Sequence, residues 1–280
     1  HAEIIALKEA GLQARGAALY ITLEPCCTWG KTPPCTHAIL GSGVGRVMVA
    51  MRDPNPLHAG KGLKLLRRKG VEVVEGVCAG AAKELIAPFA KWITSKKPYL
   101  TLKLGMTLDG KIADRLGVSR WITGPESRQR VHDLRRRVDA IWVGRSTVVQ
   151  DNPSLIPQPT DGREPYRVVL DSKGTLPMNS RVFTDDFRHR TIYATTAQCP
   201  EKIMECAQDH GVHVWKLPSS SGRISLKKLL EKLGRLGLLH VLCEGGGELA
   251  EALIKARLVD EYWFFIAPRI IGGGKAPGAV

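Results

Sequence analysis

The stretch TLEPCCTWGKTPPC, residues 22–35, stands one helix-period segment and one apolar run after HAE at residues 1–3. Together they bring three nitrogen and sulfur donors, His1, Cys26 and Cys35, into the first third of the chain. Three such ligands with a fourth position open are what a catalytic zinc ion requires, whereas a structural zinc is normally closed by four. Glu3, two residues beyond the histidine, would lie near the open position and can carry protons without ligating. An ion held in this way makes water a nucleophile near neutral pH, which points to hydrolysis at an electrophilic carbon. Taken singly, such residues read as a capping histidine or a buried thiol; only the assembled set argues for a site. Cys27 is expected to be a neighbouring thiol, because a fourth thiolate would close the centre.

Outward from this stretch, apolar runs rich in β-branched residues alternate with helix-period segments along the whole chain, the pattern of α/β domains with largely parallel sheets. A helix is expected over residues 1–10, ended by Gly11, then a strand over 18–23, a short helix from Cys35, a strand over 46–51 and the turn DPNP at 53–56. A helix over 61–69, a strand over 71–74 and a helix near 81–94 complete this part. At Ser95-Lys96-Lys97-Pro98 a helix pattern gives way to the alternating run YLTLKLGMTLDG, and the domain boundary is placed there, dividing 1–97 from 98–280. Beyond it, strands are expected over 140–144, 166–171, 191–195, 212–215, 240–244 and 261–267. Helices are expected over 126–138, 201–210, 226–233 and 247–256.

Late in this second half Glu244 ends a strand, Gly245 to Gly247 form a turn, and a helix starts at once, so free backbone N–H groups face a phosphate-sized gap. GGGELA fits G-x-G-x-x-A, yet it does not follow a first strand, so the string alone does not establish a dinucleotide-binding half. Trp142, Trp215 and Trp263 have the spacing of strand residues and are expected in the core.

Composition bounds the alternatives. At about 150 residues per domain, 280 residues suggest two domains, and 44% hydrophobic with 24% charged residues is globular composition. No apolar run approaches the roughly 18 to 20 residues that span a bilayer, and no leader pattern opens the chain, so a soluble, cytoplasmic protein is expected. Seven cysteines, an odd number, favour metal or free-thiol roles over a disulfide framework. The net charge of +14 is either a solvated Lys/Arg surface or a field for an anionic partner, whether nucleic acid, membrane surface or a phosphorylated small molecule. The sequence starts at His1 without a methionine and closes after GGGKAPGA, and both ends are expected to be truncated.

HAE, TLEPCCTWGKTPPC and the following MRDPNP closely resemble the deaminase domain of the bifunctional riboflavin-biosynthesis deaminase/reductases. H-x-E and P-C form a signature of zinc deaminases; here Cys26 and Cys35 enclose eight residues rather than two, and that expanded loop is characteristic of the family. The resemblance implies a cytidine-deaminase-like three-layer domain with His1, Cys26 and Cys35 as zinc ligands and Glu3 as the proton shuttle. Lys31, Asp53 and Asn55 fall on substrate-binding positions, and Thr28 stands where the family usually has a histidine.

The resemblance continues through TLKLGMTLDGKIA, SRWITG, VGRSTVVQDNPSL, VVLDSKGTLP, CEGGGELAEALI and FIAPRIIGG. It therefore implies a dihydrofolate-reductase-like α/β domain that reduces a ribosyl to a ribityl group with NADPH. Gly105, Trp121, Thr147, Asp151 and the segment Gly246, Gly247, Glu248, Leu249, Ala250, Glu251 and Ala252 would touch this cofactor. Ser119, Arg135, Leu155 and Glu244 would touch the sugar phosphate, with Glu244 counted among the catalytic groups. Lys103 is a further catalytic candidate, since a cation beside the sugar can assist ring opening or bind an oxyanion. Gln158 occupies a position where the family usually places an arginine for the substrate phosphate.

The implied reaction is zinc-dependent hydrolytic deamination of a diaminopyrimidinone ribosyl 5′-phosphate followed by NADPH-dependent reduction of its sugar. The expected partner is that small molecule, with no nucleic acid and no membrane, and with a homo-oligomer left open. A nucleic-acid base deaminase or RNA-binding protein is the competing class. Against it stand an aromatic content of only 6% and a basic cluster, RRRV at 135–138, without interleaved aromatics. An enzyme with one working half is the third alternative, opposed by the full set His1, Glu3, Cys26 and Cys35.

Overall fold

Parallel strands alternating with helices build both halves of the chain in the computed structural model, which describes residues 1–119, 121–160 and 162–279. Two units result, His1–Ser95 and Lys96–Val280. Arg120 of the SRWITG stretch lies outside the described residues.

The first unit runs α1 (Ala2–Ala10), β1 (Ala18–Leu23), α2 (Cys35–Ser42), β2 (Arg46–Met51), α3 (Lys61–Arg68), β3 (Glu72–Glu75), α4 (Ala79–Leu85) and α5 (Ala87–Ser95). Its sheet has the order β1-β2-β3, parallel throughout. Alternation sorts the strand side chains between two faces. Leu19, Ile21, Val47 and Val73 join Leu7, Ile39 and Leu66 from α1, α2 and α3 in one core. Tyr20, Met48 and Ala50 face the other way, toward Ala81, Ala82 and Leu85. The sheet thus lies between two helical layers. The single helix expected near 81–94 is two, α4 and α5. Pro88 explains the break: within a continuous helix its ring would clash with the carbonyl of Glu84 and its nitrogen has no proton to donate.

The second unit runs β4 (Tyr99–Thr107), α6 (Pro125–Arg137), β5 (Ala140–Gly144), α7 (Arg145–Asp151), β6 (Tyr166–Leu170), α8 (Arg181–Thr184), β7 (Thr191–Thr195), α9 (Glu201–Asp209), β8 (His213–Lys216), β9 (Ser219–Ser220), β10 (Arg223–Ile224), α10 (Leu226–Arg235), β11 (His240–Cys243), α11 (Gly247–Lys255) and β12 (Glu261–Ala267). Seven strands pair in parallel in the order β12-β4-β11-β5-β6-β7-β8. Leu100, Trp142, Val168 and Val241 pack with α10 and α11 on one face. Ile141, Val143, Val169, Tyr193 and Leu242 pack with α6, α8 and α9 on the other. Because helices cover both faces, β4 is buried at consecutive residues from Leu100 to Leu102, although its sequence alternates. Trp142 is fully buried, and Trp215 and Trp263 pack against the two cores. Sequence periodicity did not reveal α7, α8 or the β9–β10 hairpin, which are too short to generate a periodic signal.

No helix among the described residues is long and apolar enough to cross a membrane.

Candidate functional site

In the first unit, His1 caps α1, Cys26 follows β1 and Cys35 opens α2. Their ligand atoms all lie within 4.8 Å of one another. His1 Nδ1 is 3.0 Å from Cys35 Sγ and 3.8 Å from Cys26 Sγ. Zinc bonds of 2.0–2.3 Å at tetrahedral angles set ligand pairs about 3.5 Å apart, so the three donors fit one zinc ion with a position to spare. The backbone N–H of Cys35 donates to Cys26 Sγ at 3.2 Å, orienting that sulfur from the α2 N-terminus. Burial foremost, then Cys26 and Glu3, pushes the Cys35 thiol up to about 12, so a metal ion bound there would displace a proton. Glu3 stands in the first turn of α1, two residues beyond His1. Cys27 is not part of the group, and all seven cysteines are free thiols.

Of the expected substrate contacts in this unit, Lys31 is exposed on the loop between Cys26 and Cys35. Asp53 Oδ1 accepts the N–H of Asn55 at 2.8 Å, and Asn55 Oδ1 accepts that of Leu57 at 3.1 Å, so the DPNP segment is held by two successive side-chain turns. Glu24, which the sequence left without a role, ties this segment to the cysteine loop. Its carboxylate is buried and accepts three backbone N–H groups, from Asp53 at 3.1 Å, Gly60 at 2.7 Å and Gly62 at 2.9 Å. Gly62 is required by close approach, because a β-carbon there would lie 2.3 Å from the carbonyl oxygen of Pro25. Glu24's partners lie 29 to 38 residues away, beyond any local pattern.

In the second unit a cavity of about 1370 Å³ opens at the carboxyl ends of β4, β5, β6 and β11, where ligands of parallel sheets bind. Its walls include Lys103, Gly105, Ser119, Trp121, Arg135, Thr147, Asp151, Leu155, Glu244, Gly246, Gly247, Glu248, Leu249, Glu251 and Ala252. Ala250 departs from the expected cofactor segment: on the inward face of α11 it is fully buried in the core. Gly245 and Gly246, at φ 149° and 67°, form the turn from which α11 starts at the cavity wall, a conformation that side chains with a β-carbon resist. The volume exceeds the usual range for one small ligand and suits a dinucleotide with a second molecule beside it.

Arg135 and Glu244 form a bidentate pair at 2.5 and 2.8 Å, with side chains 15% and 7% exposed. Burial alone would raise the Glu244 carboxyl, but Arg135, aided by Lys103, outweighs it and holds the group below the ordinary carboxylate range. Burial lowers Lys103, with Glu244 opposing and Arg135 adding. Among the described residues Lys103 has no hydrogen-bonding partner, and its ammonium lies 5.8 Å from the Phe265 ring centre. Ser119 Oγ donates to Asp151 at 3.3 Å, and the Arg128 guanidinium stacks 4.4 Å from the Trp121 ring at the cavity mouth. A half-buried ammonium with no hydrogen-bonding partner among the described residues, beside an ion-paired carboxylate, is a polar centre suited to stabilising charge on a reacting sugar.

Comparison with known proteins relates both units to the same group of proteins. Residues 1–51 match the cytidine and deoxycytidylate deaminase zinc-binding region, and residues 98–280 match the RibD C-terminal domain. The chain is 43% identical to riboflavin biosynthesis protein RibD of Aquifex aeolicus, covering 99% of this chain and 76% of the relative. It is 40% identical to the protein of that name from Bacillus amyloliquefaciens, over 100% of this chain and 75% of the other. Among solved structures, Acinetobacter baumannii RibD superposes with a TM-score of 0.85 at 35% identity, covering 100% of this chain and 76% of that one. A Thermotoga maritima diaminohydroxyphosphoribosylaminopyrimidine deaminase/5-amino-6-(5-phosphoribosylamino)uracil reductase gives 0.82 at 37% identity, over 97% and 73%. With a zinc-deaminase signature in one unit, a reductase domain in the other and these matches along its whole length, the chain belongs to the RibD family of riboflavin-biosynthesis deaminase/reductases.

Proposed function

We propose that residues 1–97 deaminate a diaminopyrimidinone ribosyl 5′-phosphate and that residues 98–280 then reduce its ribosyl group. The chain is a bifunctional deaminase and reductase of riboflavin biosynthesis that uses Zn2+ and NADPH. The observation that carries the residue assignment is the convergence of His1, Cys26 and Cys35 at zinc-ligand spacing.

His1, Cys26 and Cys35 would hold the zinc, which supplies a Lewis acid that activates water near neutral pH. Glu3 takes up a proton from the attacking water on its carboxylate and returns it to the departing amino nitrogen, which leaves as ammonia while the ring carbon keeps the water's oxygen as a carbonyl. Lys31, Asp53 and Asn55 bind the substrate, and Glu24 keeps the latter two in register with the cysteine loop. In the second unit Gly105, Trp121, Thr147, Asp151 and the Gly246 to Ala252 segment hold NADPH, whose nicotinamide supplies the hydride. Ala250 serves that segment by anchoring α11 rather than by contact. Ser119, Arg135, Leu155 and Glu244 position the sugar phosphate, and the Lys103 ammonium stabilises negative charge on its oxygen. Both ligands are anionic small molecules of the cytoplasm, and a net charge of +14 favours their capture without nucleic acid.

The test is a coupled assay on the pyrimidine ribosyl phosphate with the full-length protein. Ammonia release is expected without NADPH, and NADPH oxidation is expected only after deamination. Tight RNA binding with a steep salt dependence and no turnover of the small substrate would sink this function.

A further inference from the structure

One group on the cavity wall has no part in the chemistry so far assigned. Arg128, Val131, His132 and Arg135 recur at helical spacing and share the face of α6 that lines the cavity. Arg128 is committed to Trp121 and Arg135 to Glu244. His132 is held differently, because its Nδ1 accepts the backbone N–H of Gln158 at 3.1 Å. A backbone amide can only donate, so Nδ1 must offer its lone pair and the neutral ring carries its proton on Nε2. Among the described residues nothing accepts a hydrogen bond from that Nε2. Burial, then Arg135, lowers the tendency of the ring to protonate; Arg136 adds to this, and Glu244 and Asp133 oppose it. Protonating Nδ1 would also break the bond from Gln158. The ring is therefore a fixed, uncharged donor.

We propose that His132 binds the sugar-phosphate substrate of the reductase half by donating from Nε2 to one of its oxygens, an inference that rests on the function proposed above. A sugar phosphate presents many acceptor oxygens. A donor that stays neutral adds a hydrogen bond without placing a further cation beside Arg135 and Lys103, which would repel it. His132 is thus a substrate-binding residue in a position where a lysine or arginine would be disfavoured.

Two near-isosteric variants make opposite predictions. His132→Asn puts an amide oxygen near the Nδ1 position and keeps an acceptor for Gln158, but removes the distal donor. His132→Gln puts an amide nitrogen near the Nε2 position and gives up the bond from Gln158. Steady-state reduction of the deaminated ribosyl phosphate, NADPH affinity and thermal unfolding are measured for both. The expected result is a KM for the sugar phosphate raised about tenfold in His132→Asn and within about threefold of wild type in His132→Gln, with NADPH affinity unchanged in both. Impairment of His132→Gln equal to or greater than that of His132→Asn overturns the proposal, since the ring would then only brace the Gln158 loop. If the wild type oxidises no NADPH with this substrate, the function itself fails. An independent readout then judges His132: its 15N Nε2 resonance should shift on titration with ribose 5-phosphate, and an unmoved resonance, or a proton on Nδ1 at pH 7, overturns the contact.

Discussion

Glu24→Gln is the most informative perturbation of the deaminase unit, because it changes one atom of a carboxylate that holds two loops together. Oε2 accepts from Asp53 and Gly60, while Oε1 accepts from Gly62. An amide in the better of its two orientations keeps the first two bonds and turns its NH2 toward the Gly62 N–H. One charge-assisted bond is lost, a buried donor is left unpaired, and the two surviving bonds weaken with loss of charge. At about 1.5–3 kcal/mol for a hydrogen bond to a charged group, the expected destabilisation is about 2–3 kcal/mol. The unit spans His1–Ser95, and for a domain of 60–100 residues each kcal/mol moves the melting temperature by about 4–8 °C, so its transition should fall by roughly 10–20 °C. Glu24→Ala abandons all three donors and, at about 5–9 kcal/mol as an upper bound, approaches the whole stability of a small domain.

The functional consequence is separable from stability. Asp53 and Asn55 are the proposed substrate contacts that Glu24 holds against the cysteine loop, so Glu24→Gln assayed well below its transition should raise KM for the ribosyl phosphate while retaining about one zinc per chain. Gly62→Ala attacks the same junction from the other side, since its β-carbon would lie 2.3 Å from the Pro25 carbonyl oxygen, and should reproduce the same pattern. Calorimetry, metal analysis and ammonia release decide the matter together. A Glu24→Gln protein with wild-type melting temperature and wild-type KM would refute the reasoning.

Other outcomes follow from the same physical terms. Glu3→Gln should retain zinc yet lose ammonia release by about two to four orders of magnitude; a variant that deaminates normally would remove Glu3 from the mechanism. Lys103 has a folded-state pKa below its unfolded value, so the unfolded chain binds more protons between the two, and wild-type stability should rise with pH across that interval. Urea titrations of Lys103→Met over the same interval should show a flatter dependence, together with impaired NADPH oxidation. Arg167 is fully buried and bonded to both carboxylate oxygens of Asp185 at 2.7 and 2.8 Å. Asp185→Ala strands that charge and should destabilise the second unit by about 3–5 kcal/mol, readable as a fall in its melting transition with no change in zinc content.

The gathering of His1, Cys26 and Cys35 was legible because its chemistry is local: HAE and TLEPCCTWGKTPPC carry the candidate ligand types, and the hydrophobic alternation around them dictates a strand and helix ends that can bring those side chains together. The parallel α/β character of both units was legible for the same reason, since period-2 and period-3.6 patterns are properties of short windows. The exceptions have specific causes. Pro88 broke one expected helix, and burial on both faces of β4 overrode an alternating sequence.

What tertiary structure alone decided is which distant residues share a site. Glu24 finds its three donors 29 to 38 residues away. Arg135 reaches Glu244 across 109 residues because β11 inserts between β4 and β5, against the order of the chain. His132 acquires a fixed tautomer from Gln158, 26 residues on, and Ala250 turns into the core while its neighbours face the cavity. Side-chain types and their spacing determine what chemistry this chain can carry. Protonation, pairing and burial depend on atoms brought close only when the sheets assemble, so those had to be read from the folded protein.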